Sequence, residues 1–163
     1  MKKNAPILDA CCGSRMFHFD KDNENVIFMD NRELDTILCD GRVLNIKPDI
    51  LGDFRSMEFP DEHFYAVIFD PPHLNKIGAK TWMAQKYGVL TDNWKNDIRD
   101  GFRECMRVLK PYGTLIFKWN QNQIPASEVI KAIGQCPVIG NRSKTSTIWM
   151  FFMKLSKKGI TEW

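Results

Sequence analysis

"VIFDPPH", residues 67–73, carries a run of apolar β-formers straight into an acid, two prolines and a histidine. Proline donates no backbone hydrogen bond and fixes φ, so a strand entering Asp70-Pro71-Pro72 has to stop there. The same habit, an unbroken apolar run ending in turn residues, recurs in "APILDA", "VIFMD", "DILGD", "GTLIFKW", "CPVIG" and "TIWMFFMKL". Continuous Ile/Val/Leu/Phe runs, unlike alternating ones, mark strands covered by helices on both faces. An open, mainly parallel α/β sheet is expected.

The segments between the runs supply the crossovers. In "TDNWKNDIRDGFRECMRVLKPYG", Trp94, Ile98, Phe102, Cys105, Met106 and Leu109 recur at steps of three and four, which predicts a helix with one buried face. Thr91 or Asp92 is suited to cap its start, and Pro111 with Gly113 to end it. "PASEVIKAIGQ" predicts a second helix, with Pro125 in its first turn and Val129, Ile130 and Ile133 as its buried stripe. "SRMFHF" and "NRELDTIL" allow only short N-terminal crossover helices, and residues 54–64 hardly one. The final two strands, joined by "GNRSKTS", are too close for a parallel return and are expected to pair antiparallel.

Length and composition narrow the function classes. The 163 residues suffice for one domain with a core, and residues 1–163 are read as a single domain without a separate target-recognition domain. No window approaches the roughly 20 apolar residues of a membrane span, and Asp9 interrupts any leader-like run, so a cytoplasmic protein with no membrane partner is expected. The five cysteines have no Cys-x-x-Cys spacing; they read as reduced thiols filling small core spaces, with no metal site expected. A net charge of +3 permits a nucleic-acid partner without requiring one.

Ligands of such sheets bind outside the carboxyl ends of the strands. Asp9 and Gly13 follow the first run, with Cys11 between them, and the missing side chain at Gly13 would let a ligand approach the backbone. Asp30 ends the second run 21 residues after Asp9, where an acid can accept both hydroxyls of a ribose. Asp53 and Phe54 follow the third, as an acceptor for an exocyclic amine and a cover for an adenine face. A dinucleotide would need Gly-x-Gly-x-x-Gly for its pyrophosphate, whereas "GSRMFH" offers one glycine, so a nucleoside cofactor without phosphate is expected. At the fourth strand end, Asp70 and a carbonyl freed by the prolines could grip the two hydrogens of an amino group, with an aromatic ring stacked alongside.

"DPPH" resembles the Asp/Asn-Pro-Pro-aromatic motif of the amino-methylating class I S-adenosylmethionine-dependent methyltransferases, and similarity to the N6-adenine enzymes runs from "ILDACCG" through "FMD", "GDF" and "FDPPH" to "RVLKPYGTLIFKW". The resemblance implies a Rossmann-like, mostly parallel seven-stranded sheet with an antiparallel final strand, and S-adenosyl-L-methionine as cofactor. It implies that Asp9, Cys11 and Gly13 shape the methionine end of the cofactor pocket, that Asp30 holds the ribose, and that Asp53 and Phe54 hold the adenine. Asp70 and the Pro71 carbonyl would take the target amine, Pro72 would stiffen the turn, and His73 would stack on the base in place of the usual Tyr, Phe or Trp. Two departures stand out: His73 itself, and Arg15 at the motif's second glycine, where it would crowd the cofactor or pair with its carboxylate.

The implied reaction is methylation of an exocyclic amine, adenine N6 in DNA or RNA. Lys76, Lys80, Trp82 and Tyr87, in "LNKIGAKTWMAQKYGVL", interleave cations with aromatics as phosphates and unstacked bases require, on a segment that could serve as a lid. Only 90 residues follow His73, too few for stringent sequence recognition beyond the sheet's own strands, so loose specificity or a recognition partner is expected. The alternatives are an RNA guanine-N2 or a protein or small-molecule amine methyltransferase, and, from another class, an inactive nucleic-acid-binding subunit, which Arg15 would favour. The oligomeric state is left open.

Overall fold

The apolar runs become strands. The computed structural model describes residues 5–78, 81–141 and 146–155. In chain order the elements are β1 (Ile7–Asp9), β2 (Val26–Asp30), β3 (Leu34–Ile37), β4 (Val43–Ile46), β5 (Ile50–Leu51), β6 (Phe64–Phe69), α1 (Trp82–Tyr87), α2 (Trp94–Val108), β7 (Leu109–Asn120), α3 (Ala126–Ile133), β8 (Ile139–Gly140) and β9 (Thr147–Met153). Seven strands form one sheet in the order β5-β2-β1-β6-β7-β9-β8. The first five are mutually parallel, and β9 runs antiparallel to both β7 and β8. Both the mostly parallel seven-stranded sheet and the antiparallel close are as expected from the sequence.

The order reverses between β1 and β6. Chain growth runs outward on one side through β2 and β5, then restarts at β6 and runs outward on the other. At such a switch point the two flanking loops leave in opposite directions and open a crevice outside the strand ends. Register fixes what meets there: Asp9 pairs with Ile68, and Phe69 with Phe117, so Asp9, Asp70 and Lys118 come to the same edge.

The two long helices form where periodicity places them. α2 buries Ile98, Gly101, Phe102, Cys105 and Val108, and α3 buries Val129 and Ile133, against a core holding Leu8, Phe69, Leu115, Phe117, Trp119 and Phe152. Burial of each such large side chain stabilises by ~1.5–3 kcal/mol before chain entropy is subtracted. Their ends differ from expectation. α2 is capped by Asn93; Thr91 instead accepts from the Asn93 amide and donates to Asp97, and the helix stops at Val108, with the Lys-Pro-Tyr-Gly residues drawn into β7. α3 takes Pro125 as its N-cap and ends on Gly134, whose φ of 74° is the left-handed cap conformation.

The expected N-terminal crossover helices are corrected. "NRELDTIL" supplies β3, paired with β4 in a hairpin around Asp40-Gly41, with Gly41 at φ 82°. Burial alternates along both strands, and a period of two with an Asp-Gly turn is hairpin chemistry that a helical reading of "NRELDTIL" overlooked. "SRMFHF" is turn: residues 10–25 cover β2 without a helix, the Arg15 guanidinium lying 3.9 Å from the Phe28 ring centroid and His18 meeting its edge at 4.8 Å. Nor do all cysteines fill core spaces: Cys12 and Cys105 are buried and Cys11 half-buried, but Cys39 and Cys136 are exposed. No helix among the described residues is long and apolar enough to cross a membrane.

Candidate active site

A cleft of about 360 Å3 opens at the switch point. Its floor and walls come from four strand ends: Cys11, Cys12, Gly13 and Ser14 after β1, Asp30 and Arg32 from β2 and its exit, Phe54 after β5, and Asp70, Pro71, Pro72 and His73 after β6. Lys118 of β7 and Phe17 close one side, and Lys86, Tyr87 and Gly88, from α1 and its end, form a roof. Of the predicted site residues, Cys11, Gly13, Asp30, Phe54, Asp70, Pro71, Pro72, His73 and Tyr87 are brought together here.

The turn after β1 is built around two carboxylates. Asp9 is fully buried, its Oδ2 lying 2.7 Å from His18 Nε2 and its Oδ1 accepting from the Cys11 amide at 3.2 Å. Burial raises its pKa, with His18 opposing. It reaches the cleft only through the loop it holds. Asp30, 4% exposed, accepts from the Gly13 amide at 2.9 Å through Oδ2 and from the Arg32 amide and Nε at 3.0 Å through Oδ1. Arg32 in turn donates to the Gln85 carbonyl at 3.0 Å, tying Asp30 to the roof helix. Gly13 has φ 48°, and a Cβ there would meet nothing within 4 Å, so that wall of the cleft is left open to a ligand.

Arg15 is corrected. It has φ 55°, the backbone conformation a motif glycine would supply, and its side chain turns away from the cleft to donate to the carbonyls of Lys21 and Lys47 and to stack on Phe28. It neither crowds the cleft nor stands ready for a cofactor carboxylate. Asp53 also lies outside, its carboxylate taken by Arg55 at 2.6 Å, so only Phe54 of that pair faces the cleft. Lys76 is exposed away from it, its amide donating to Gln123, and Trp82 packs with Leu38, Leu44 and Ile46 beneath Arg42. Lys80 lies outside the described residues.

The turn after β6 holds the most unusual electrostatics. Asp70 Oδ2 accepts from Lys118 Nζ at 2.5 Å, the two side chains being 16% and 22% exposed. Burial raises the Asp70 pKa while Lys118 pulls it back down. His73 is pushed down to about 4, first by burial and then by the Lys118 charge, so its ring is neutral at physiological pH. That ring lies 5.6 Å from Tyr87 and 6.3 Å from Trp119. The thiols are inert: burial pushes Cys12 up to about 12 and Cys11 well above the ordinary thiol value. Among the described residues no cluster of three or more His, Cys, Asp or Glu could hold a metal.

Sequence reasoning missed Phe17, Arg32 and Lys118, whereas Lys86, a cation of the same basic aromatic segment as Lys76 and Lys80, does line the cleft. For Lys118 the signal was present: a lone cation in "LIFKWN", one residue beyond the partner of Phe69, must sit beside Asp70 if β6 and β7 pair in register.

No protein-family description matches the chain, and no curated protein sequence matches it. Solved structures do. The PH0226 protein of Pyrococcus horikoshii OT3 superposes with a TM-score of 0.56 at 17% identity, over 94% of this chain and 83% of that one. HI0767 of Haemophilus influenzae, described provisionally as a methylase, superposes at 0.50 with 12% identity, over 94% and 89%. With the strand order above, these likenesses define the architecture as the Rossmann-like class I methyltransferase fold.

Proposed function

We propose that the chain is an S-adenosylmethionine-dependent N-methyltransferase whose target is an exocyclic amino group, adenine N6 in DNA or RNA. The observation that carries this reading is one continuous cleft lined by Asp70 and Pro71 together with Gly13, Asp30 and Phe54. A nucleoside cofactor fits the groups present: a carboxylate at a strand end, an open glycine wall, an aromatic ring, and no glycine-rich pyrophosphate loop. Asp30, which accepts from Gly13 and Arg32 in this structure, would take the ribose hydroxyls in exchange for the long 3.4 Å Arg32 contact, Phe54 would cover its adenine, and Cys11 and Gly13 would border its methionine end. Bound there, the cofactor supplies an electrophilic sulfonium methyl group.

The chain's own work is then positioning. Asp70 Oδ1 and the Pro71 carbonyl accept the two amine hydrogens, drawing the nitrogen lone pair out of conjugation with its ring and aiming it into the cleft. Neutral His73 and Tyr87 flank the base, and a neutral ring stacks on it without carrying a second charge into the site. A half-dry carboxylate with raised proton affinity is a fit recipient for the proton the amine sheds. Lys86 at the roof, with Lys21 and Arg42 in the adjoining groove, offers cations to a phosphate backbone.

An inactive binding subunit is the reading Arg15 would have favoured, and Arg15 is engaged elsewhere. Titration of S-adenosylhomocysteine by calorimetry, alongside transfer assays on single-stranded DNA, RNA and glutamine-containing peptides, tests the proposal. Asp30→Ala is expected to weaken cofactor binding at least ~10-fold, the loss of one charge-assisted contact. Asp70→Ala is expected to leave it within about threefold while abolishing transfer, since it removes the amine's acceptor alone. Wild-type protein that ignores S-adenosylhomocysteine would refute the reading.

A further inference from the structure

The ion pair between Lys118 and Asp70 is costly to build and poses a problem for amine binding. Two charges largely withdrawn from water repay their desolvation only with good geometry, and this one takes Oδ2 of the carboxylate that the proposed reaction requires. An apolar residue at position 118 would leave Asp70 wholly free for an amine. The lysine is held in place all the same: β-sheet register sets it beside Asp70, and its head lies 5.3 Å from the Phe17 ring centroid and 5.9 Å from that of Trp149. An ammonium has three donors. One goes to Asp70, the hydrogen bond that Nζ makes among the described residues.

Resting on the reading above, we propose that Lys118 is the second reader of the target base, donating to the ring nitrogen next to the exocyclic amine that Asp70 accepts from. Lys118 Nζ is held on Asp70 Oδ2, beside the Oδ1 that takes the amine, so the cleft holds an acceptor and a donor side by side for an edge that presents a donor beside an acceptor. Adenine has such an edge in both orientations, because N6 lies between N1 and N7, each with a free lone pair. Cytosine offers it on one side, with N3 beside N4. Guanine also offers it on one side, with N3 beside N2, while the N1 hydrogen on the other side would face the ammonium donor to donor. The pair therefore fits adenine in either orientation and cytosine or guanine in only one, and it favours adenine on that ground.

The test uses single-stranded oligonucleotides of randomised sequence in which adenine is intact, or wholly replaced by 1-deazaadenine or 7-deazaadenine, so that each flanking acceptor is removed in turn. Wild-type kcat/KM is expected to fall on the order of 10- to 100-fold with one of the two analogues, the discrimination one good base contact supplies. K118M is expected to lose a similar factor on adenine and to treat that analogue and adenine alike, while K118Q, which keeps a donor, recovers part of the loss. Affinity for S-adenosylhomocysteine, unchanged across the variants, shows that each has folded. Discrimination that persists in K118M, or wild-type indifference to both analogues, would overturn the role of Lys118 while leaving methyl transfer standing. Absence of any adenine methylation by wild-type protein would overturn both.

Discussion

At the scale of single residues, the site depends on charges that sequence places and structure pairs. Asp30 and Asp70 were legible because acids after apolar runs must emerge at strand ends, and the prolines explain why "VIFDPPH" stops there. Their partners were not legible in the same way: Arg32 and Lys118 are ordinary cations until register and loop paths bring them to 3.0 and 2.5 Å. Asp53 lies outside the cleft, where Arg55, two residues on, pairs with its carboxylate. His73 carries a clear expectation. Its folded pKa lies near 4, below the ordinary 6.5, so the unfolded chain binds the extra proton between those values. The stability contributed by the neutral ring is complete above about pH 6.5 and is lost as pH falls toward 4. Imidazole resonances of His73 should stay flat from pH 8 to about 5, and His73→Phe should flatten the fall in melting temperature over that window. A midpoint near 6.5 in the resonance titration would show the ring solvated and unperturbed.

Elements decide how tightly the cleft walls are held. The periodicity of α2 made that helix plain in the sequence, yet Gly101 within it reads as a weak point and is the reverse. A Cβ there would come within 2.5 Å of the Phe54 ring and 2.9 Å of Phe69, so the bare backbone lets α2 press Phe54 toward the cleft. Gly101→Ala, favourable for an isolated helix, is expected to destabilise the fold by ~1–3 kcal/mol through overpacking. It should also weaken S-adenosylhomocysteine binding, both readable in one set of thermal melts with and without ligand. Gly88 ends α1 at φ 73°, and a Cβ would meet Pro72 at 2.9 Å. Gly88→Ala should lift the roof from the Asp-Pro-Pro turn and lower transfer more than cofactor affinity; the opposite order of effects would place the roof on the cofactor side. The hairpin of β3 and β4 was misread because "NRELDTIL" carries good helix formers. Its fate was set by the Asp-Gly turn and by pairing with "VLNI", contacts a local reading does not weigh.

At the scale of the whole molecule, the strand ends that make the fold also make the cleft. Parallel strands and the antiparallel close could be read because apolar runs, turn residues and loop lengths constrain topology together. Coverage of the sheet could not: helices were expected on both faces, and a turn-rich loop pinned by Asp9, Arg15 and His18 replaces one of them. Fold and site share one core. Trp119 is fully buried beneath His73, its Nε1 donating to the Ile124 carbonyl at 2.9 Å. Trp119→Ala is expected to cost ~3–5 kcal/mol in denaturant unfolding, enough to unfold many domains of this size, whereas Trp119→Phe should cost less and retain the cleft. The central claim is that this cleft delivers a methyl group to an exocyclic amine held by Asp70. Its most direct test is transfer from isotope-labelled S-adenosylmethionine to single-stranded DNA and RNA, followed by digestion to nucleosides and mass spectrometry. The account predicts label on N6 of adenine with wild-type protein and none with Asp70→Ala; label on a carbon or an oxygen, or undiminished transfer by the variant, would contradict it.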